Sequence, residues 1–256
     1  MKKVGKGEVV VLLDEKWKRC IIHTDDEPRK IKGFGVVYPK KLVGLSYGEK
    51  TTLGTKQIWV LPPSAYDRWG SLKRKAQIIL PKDAAQIIVN CSIVPGNIVV
   101  EGGIGSGSLT TILAQIVAPN GRVISYEKRR DFMDFAIKNL VNVGVADYVK
   151  VREQDITSGI DEREVDAVVL DIPDPWGAVE HSWKALKVGG SIASYSPLIS
   201  QVEKTVNELK KYPFIEIKTI ETLQREMVVS KYGTRPSFDM LGHTGYLTFA
   251  RKVLKT

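Results

Sequence analysis

Residues Val99-Val100-Glu101-Gly102-Gly103-Ile104-Gly105-Ser106-Gly107-Ser108-Leu109-Thr110 constrain this chain more than any other stretch, because an apolar strand there ends in an acidic, glycine-packed turn that opens into a helix. Glycines remove the Cβ atoms that would hold a ligand off the backbone, and the helix start presents unpaired N–H groups. This is the pattern of a nucleotide-type cofactor loop, its alternative being a tight turn with no ligand. A dinucleotide site places a pyrophosphate on that helix and spells G-x-G-x-x-G. Here the spacing is G-x-G-x-G, and Glu101 precedes it. A carboxylate in that position repels phosphate and attracts the ammonium of a bound amino acid. S-adenosylmethionine carries that ammonium and no phosphate. On this reading Gly103, Gly105, Ser106, Gly107, Ser108 and Leu109 lie against the cofactor.

Two further strand ends fit the same molecule. Arg122-Val123-Ile124-Ser125-Tyr126-Glu127 follows a Pro-Asn-Gly turn and ends in an acid, where a carboxylate accepts hydrogen bonds from both ribose hydroxyls. The next strand-like run, from Tyr148, ends at Asp155-Ile156. Asp155 is placed to accept from the adenine amine and Ile156 to pack on the ring.

The chain has 256 residues, 43% of them hydrophobic, enough to fill a large core. Cys20 and Cys91 sit in apolar segments without metal-ligand spacing and are expected to be buried thiols, with no metal. The apolar run after Met1-Lys2-Lys3 is too short for a membrane span, so a cytoplasmic protein is expected. The net charge of +9 is unevenly placed. Residues 1–82 hold 18 Lys or Arg against 8 Asp or Glu, whereas residues 83–256 are nearly balanced. Such asymmetry points to a polyanion-binding module.

Short apolar runs at Val9–Leu13, Cys20–Ile22, Val36–Tyr38 and Gln57–Leu61, punctuated by Gly, Pro and acids, predict a small β domain with a basic surface over 1–66. Residues 67–82 form a basic connector to the second domain, which completes the span 67–256. Beyond 82, strands alternate with helices. That order predicts an α/β fold with a largely parallel, doubly wound sheet.

Val168-Val169-Leu170-Asp171-Ile172-Pro173-Asp174-Pro175-Trp176 follows the fourth strand of that sheet. Ligands in such sheets lie beyond the carboxyl ends of the strands, so Asp171 is expected to face the cofactor's methyl group. Taken together, the Glu101 loop, the Asp171-Ile172-Pro173-Asp174-Pro175-Trp176 run, Arg235-Pro236 and Gly242-His243-Thr244-Gly245-Tyr246-Leu247 resemble the tRNA (adenine-N1)-methyltransferase family of TrmI type. The resemblance covers nearly the whole chain. It implies a class I (Rossmann-like) S-adenosylmethionine-dependent methyltransferase domain behind a small N-terminal β domain, a homotetramer, and methylation of T-loop adenine-58 in tRNA, with adenine-57 also modified by some archaeal members. It also implies that Asp171 is the catalytic residue.

Adenine N1 has an in-plane lone pair, so transfer needs little base catalysis. Asp171 accepting from the N6 amine would favour the cationic product. Relatives often carry Tyr or His before the Pro-Lys-Asp at 81–83, where this chain has Leu80. A leucine packs on a base but donates no hydrogen bond. Tyr195 and His243 are expected near the base or the RNA, and Lys73, Arg74, Lys75 and Lys82 on phosphates, in contacts that are salt-sensitive and poor at reading sequence. The target adenine is buried in folded tRNA and must be extruded. Two other readings share part of this pattern: a non-catalytic RNA-binding subunit, and a methyltransferase of this fold with another acceptor.

Overall fold

The computed structural model describes residues 1–255. In the first part of the chain, strands β1 (Val9–Asp14), β2 (Arg19–His23), β3 (Arg29–Ile31), β4 (Gly35–Val37), β5 (Lys50–Leu53) and β6 (Lys56–Leu61) are followed by helices α1 (Ala65–Gly70) and α2 (Pro81–Asn90). Four of these strands form an antiparallel sheet in the order β2-β1-β6-β5, and β3 pairs with β4 as a separate hairpin. Val10, Leu12, Ile22, Ile58 and Val60 fill one face, each fully buried, while the alternate residues Val11 and Ile21 point to the opposite face as a strand period requires.

The second part runs β7 (Ile98–Gly102), α3 (Ser108–Val117), β8 (Arg122–Glu127), α4 (Arg130–Asn142), β9 (Val149–Glu153), β10 (Val165–Leu170), α5 (Val179–Ala185), β11 (Leu186–Ser196), α6 (Ile199–Leu209), β12 (Phe214–Glu221), β13 (Met227–Ser230), β14 (Gly233–Pro236) and β15 (Tyr246–Lys252). Its seven-stranded sheet has the order β12-β15-β11-β10-β7-β8-β9. Five neighbouring strands are parallel, and β15 lies antiparallel between β11 and β12. This is an α/β, Rossmann-like architecture, the one that the resemblance to the methyltransferase family implies. The chain leaves β7 in one direction toward β8 and β9 and later inserts β10 on its other side. A crevice therefore opens at the carboxyl ends of β7 and β10, where the winding reverses.

The two parts share a core. Val11 and Ile21 of the small sheet belong to the same buried cluster as Val99, Leu113 and Leu140. His23 Nε2 bonds the Asn142 carbonyl at 3.0 Å, and the Arg68 guanidinium donates to the Val143 carbonyl. Residues read as a connector are thus part of the joint. Trp69 and Leu72 are buried in that same cluster. Helix α1, absent from the sequence reading, is set by a capping box: Ser64 Oγ accepts from the Asp67 N–H at 3.1 Å, and the Asp67 carboxylate accepts from the Ser64 N–H at 3.0 Å.

The β13–β14 hairpin also went unforeseen. Its turn is Lys231-Tyr232, without the Asn-Gly or Asp-Gly pair that marks tight hairpins. Among the described residues, no helix is long and apolar enough to cross a membrane.

Candidate cofactor and acceptor site

Parallel pairing levels the strand ends that carry the acids. Glu101 sits opposite Ser125 in the β7–β8 register, and Gly102 sits opposite Leu170 in β10. The turns beyond are locked to this edge, the Gly103 N–H donating to the Tyr126 carbonyl at 2.9 Å and the Asp171 N–H to the Gly102 carbonyl at 2.8 Å. A cavity of about 610 Å³ opens there, lined among others by Gly103, Gly105, Glu127, Asp155, Ile156 and Asp171. That volume suits a nucleoside-sized ligand.

Gly103 has φ +87°, and a Cβ on it would lie 2.2 Å from the Asp171 carbonyl oxygen. The loop must therefore be bare at this point for the two turns to pass. Gly105 differs: its φ is +52°, and no atom of the described residues lies within 4 Å of where its Cβ would be.

Each acid has its own environment. Glu127 Oε1 accepts from the Arg129 N–H at 3.0 Å, leaving Oε2 uncommitted. Asp155 Oδ1 accepts from the Thr157 hydroxyl at 2.7 Å and N–H at 3.0 Å, and Oδ2 pairs with Lys128 at 3.1 Å. These hydrogen bonds, led by the Thr157 hydroxyl, hold its carboxyl below the usual carboxylate range.

Glu101 lies behind the glycine loop rather than on the cavity wall, almost wholly buried. Its Oε2 accepts from Thr110 Oγ1 at 2.7 Å and Ser125 Oγ at 2.6 Å. Burial pushes this carboxyl up to about 7 against the lowering effect of those two hydroxyls. Asp171 is half-buried, and its carboxylate receives no hydrogen bond from the described residues. Loss of hydration raises it to about 7.

Four of the loop residues do other work. Ser106 Oγ accepts from the Lys75 N–H at 3.0 Å, and Ser108 Oγ accepts from Trp69 Nε1 at 2.8 Å while donating to the Ile79 carbonyl at 3.0 Å. Gly107 caps α3 in a left-handed conformation, and Leu109 is core. They fix the loop's shape, whereas Gly103 and Gly105 meet the cavity.

The residues expected on RNA separate into groups. Lys73 and Arg74 are exposed, Arg74 lying over the Trp69 ring at 5.1 Å. Lys75 is ion-paired with Asp131 and rests 4.5 Å above the Phe132 ring. Lys82 requires correction. Its side chain is only 9% exposed, bonded to the fully buried Asp83 carboxylate at 2.8 Å, to Thr244 Oγ1 at 2.7 Å and to the Thr222 carbonyl at 2.7 Å. A phosphate cannot reach it, because position 82 lies in the first turn of α2 with its side chain turned inward toward Thr222 and Thr244. Lys82→Ala should then act on stability, costing about 3–5 kcal/mol by leaving Asp83 unpaired. The salt dependence of RNA binding should stay unchanged, which thermal melts and binding at several ionic strengths would check.

Leu80 precedes α2 and lines a shallow cavity of about 190 Å³ with Arg74, Gln77 and Leu241. Tyr195 is buried, its hydroxyl donating to the Thr244 carbonyl at 2.5 Å. His243 has both ring nitrogens occupied, Nδ1 by Glu221 Oε1 at 2.6 Å and Nε2 by the Pro197 carbonyl at 2.8 Å. Two acceptors require two ring protons, so this geometry selects the imidazolium and leaves no lone pair for proton abstraction. Among the described residues, no group of three or more His, Cys, Asp or Glu is placed to hold a metal ion.

A family model, the tRNA methyltransferase complex GCD14 subunit, matches residues 57–234. The chain belongs to this family. Within the GCD14 family, the Methanocaldococcus jannaschii protein named tRNA (adenine(57)-N(1)/adenine(58)-N(1))-methyltransferase TrmI is 36% identical, over 94% of each chain. A Thermus thermophilus tRNA (adenine(58)-N(1))-methyltransferase TrmI is 32% identical over 79% of this chain and 80% of its own. Among solved structures, a SAM-dependent O-methyltransferase of Thermotoga maritima superposes with a TM-score of 0.83 at 33% identity, covering 99% of this chain and 96% of that one. TrmI of Aquifex aeolicus, titled a tRNA (m1A58) methyltransferase, gives 0.77 at 26% identity over the full length of both.

In this GCD14-family chain the glycine loop and the acids are joined by residues that the sequence reading passed over. Thr110 and Ser125 grip Glu101, Thr157 fixes Asp155, and Gln201 Nε2 donates to the Pro173 carbonyl at 2.9 Å to hold the turn after Asp171. Only Thr110 left a signal, standing near the start of α3 where its hydroxyl points back toward the loop. Replacing both hydroxyls, Thr110→Val with Ser125→Ala, removes two interactions that favour the charged carboxylate. The Glu101 pKa should climb further. Binding of the cationic cofactor, measured by calorimetry between pH 6 and 9, should then weaken most at the acid end.

Proposed function

We propose that this protein transfers the methyl group of S-adenosylmethionine to N1 of a T-loop adenine in tRNA, at position 58 and, as the name of its Methanocaldococcus relative states for that protein, also at 57. One observation carries the reading: an Asp171 carboxylate that receives no hydrogen bond from the described residues stands at the switch point of a methyltransferase sheet, in a cavity of about 610 Å³. The residues present suit the cofactor. Gly105 faces open space that a Cβ would intrude upon, and Glu127 Oε2 and Glu101 Oε1 have no partner among the described residues.

When bound, S-adenosylmethionine supplies an electrophilic methyl group on a sulfonium. Glu127 would hold the ribose hydroxyls, Asp155 the adenine amine and Ile156 the ring face, while Glu101, set behind the glycine loop, would favour the ammonium by its charge. Asp171 accepts from the N6 amine of the target base, orients it, and stabilises positive charge as it develops. This role needs the carboxylate form. With its pKa near 7, the ionised fraction rises across neutrality, so kcat/KM should increase from pH 6 to 8 rather than lie flat, as it would with an ordinary carboxyl of 3.8.

Lys73 and Arg74, free of carboxylate partners among the described residues, are the phosphate contacts on the connector. We also assign the chain a homotetrameric state. The number of copies rests on the resemblance to the TrmI-type family, and the β13–β14 hairpin with the segment after it, where Val229 is exposed by 77%, Tyr232 by 88% and Phe238 by 82%, offers apolar surface for a contact between copies.

The test is calorimetry of S-adenosylmethionine into the full chain, followed by transfer to unmodified tRNA transcripts with adenine-57 or adenine-58 replaced by guanine. Transfer at both positions predicts a partial loss with either replacement, and a complete loss with one alone fixes that position. Equal transfer to every transcript would place the methyl elsewhere.

A further inference from the structure

Trp17 is the residue in this molecule that folding alone explains least. It sits in the β1–β2 turn, 67% exposed, with φ +61°, a left-handed conformation that a bulky residue adopts only under strain. The turn is built to hold it there. Asp14, itself buried, uses Oδ1 to accept from the Lys16 and Lys18 N–H groups at 2.9 Å each, and the Trp17 N–H donates to the Asp14 carbonyl at 2.9 Å.

One face of the Trp17 ring is covered. It stacks on Trp59 with centroids 6.2 Å apart and planes 15° from parallel, and Lys50 Nζ lies 5.1 Å from the Trp59 ring. The other face ends the column in solvent. Around it the acids are neutralised, Asp14 by Lys56 at 3.2 Å and Glu15 by Lys50 at 2.7 Å. The flanking Lys16 and Lys18 have no ion-pair partner among the described residues, with Lys18 lying across the backbone of Gly33.

We propose that Trp17 is a stacking platform for an unpaired nucleobase of the RNA substrate, with Lys16 and Lys18 meeting the adjacent phosphates. The proposal rests on the tRNA reading above and adds a contact to it. A strained, outward-facing aromatic between free cations matches the two requirements of single-stranded nucleic-acid binding, a π-face and a positive track. The same pairing of cation and ring continues toward the connector: Arg19 lies 4.6 Å over Tyr66, Tyr66 stacks on Trp69 at 5.7 Å, and Arg74 covers Trp69.

The experiment measures affinity for an unmodified tRNA transcript, KM and kcat for methyl transfer, S-adenosylmethionine affinity and Tm, in the full chain carrying Trp17→Gly, Trp17→Ala or Trp17→Tyr. Glycine accepts this φ without strain, so Trp17→Gly should melt no lower than wild type. Affinity for tRNA should fall roughly 5- to 100-fold in the Gly and Ala variants and recover substantially with Tyr, while kcat at saturating tRNA and cofactor affinity stay unchanged. Wild-type tRNA affinity in the Gly variant overturns the platform, and if methyl transfer persists the enzymatic reading stands without it. A lowered Tm in Trp17→Gly marks the ring as structural. Altered sedimentation with intact RNA binding marks it as a contact between copies. If the wild type binds tRNA but transfers no methyl, the enzymatic reading falls while the binding series still decides on Trp17.

Discussion

Asp171→Ala should lower kcat by about 100- to 1,000-fold, the effect of removing one preorganised electrostatic partner from a transition state. Cofactor affinity should change little, because Glu101, Glu127, Asp155 and Ile156 remain. Asp171→Asn should be as inactive yet more stable than wild type. A carboxyl of about 7 in the fold and 3.8 unfolded means that the native state binds more protons between those values. Native stability contributed by this group is thus complete below pH 4 and falls as pH rises toward 7. Asparagine has no such loss. At pH 8, without cofactor, the variant should gain on the order of 1–2 kcal/mol, vanishing near pH 4, as read by denaturant melts at the two pH values. A destabilised Asn variant would mean that the carboxylate is held by contacts the structure does not show.

Gly103→Ala should be the most damaging single methyl group in the site. Its Cβ would stand 2.2 Å from the Asp171 carbonyl oxygen and 3.1 Å from Ile172 Cγ2, at a φ of +87°. Backbone, not a pliable side chain, is what it meets. The end of β10 must move, taking Asp171 with it, at a cost of about 3 kcal/mol or more. Both Tm and transfer should collapse together. Gly105→Ala provides the contrast, since its Cβ meets no atom of the described residues within 4 Å. Strain of about 1–2 kcal/mol is its only cost to the fold. Cofactor affinity should nonetheless fall at least tenfold, because the methyl enters the ligand's space. If the two variants behave alike in both assays, the loop does not divide into a structural and a ligand-facing glycine.

Much of this site was legible because its acids sit at strand ends, and parallel strands alternating with helices bring such ends together whatever their separation in sequence. Glu101, Glu127 and Asp171 each close an apolar run, and Asp155 follows a strand in which Val alternates with charged residues. The hidden part lies in side-chain direction. Lys82 reads as one more cation in a basic stretch, yet the first turn of α2 points it at Asp83 and Thr244. Ser108 reads as a ligand contact and instead joins Trp69 to Ile79. Helix α1 was written in Ser64-x-x-Asp67, a capping signal passed over amid the charged residues that surround it. The β13–β14 hairpin carries no turn signature and could be found only in three dimensions. Trp17 was equally silent, since positive φ at a tryptophan follows from the hydrogen bonds of Asp14 and not from any local preference.

The most direct test of the central claim is transfer of labelled methyl from S-adenosylmethionine to unmodified tRNA transcripts, with the nucleosides resolved by mass spectrometry and Asp171→Ala run alongside. The account predicts 1-methyladenosine as the labelled product of the wild type and at least a hundredfold less from the variant, with cofactor still bound by both. Label in another nucleoside, or undiminished 1-methyladenosine from Asp171→Ala, would contradict it.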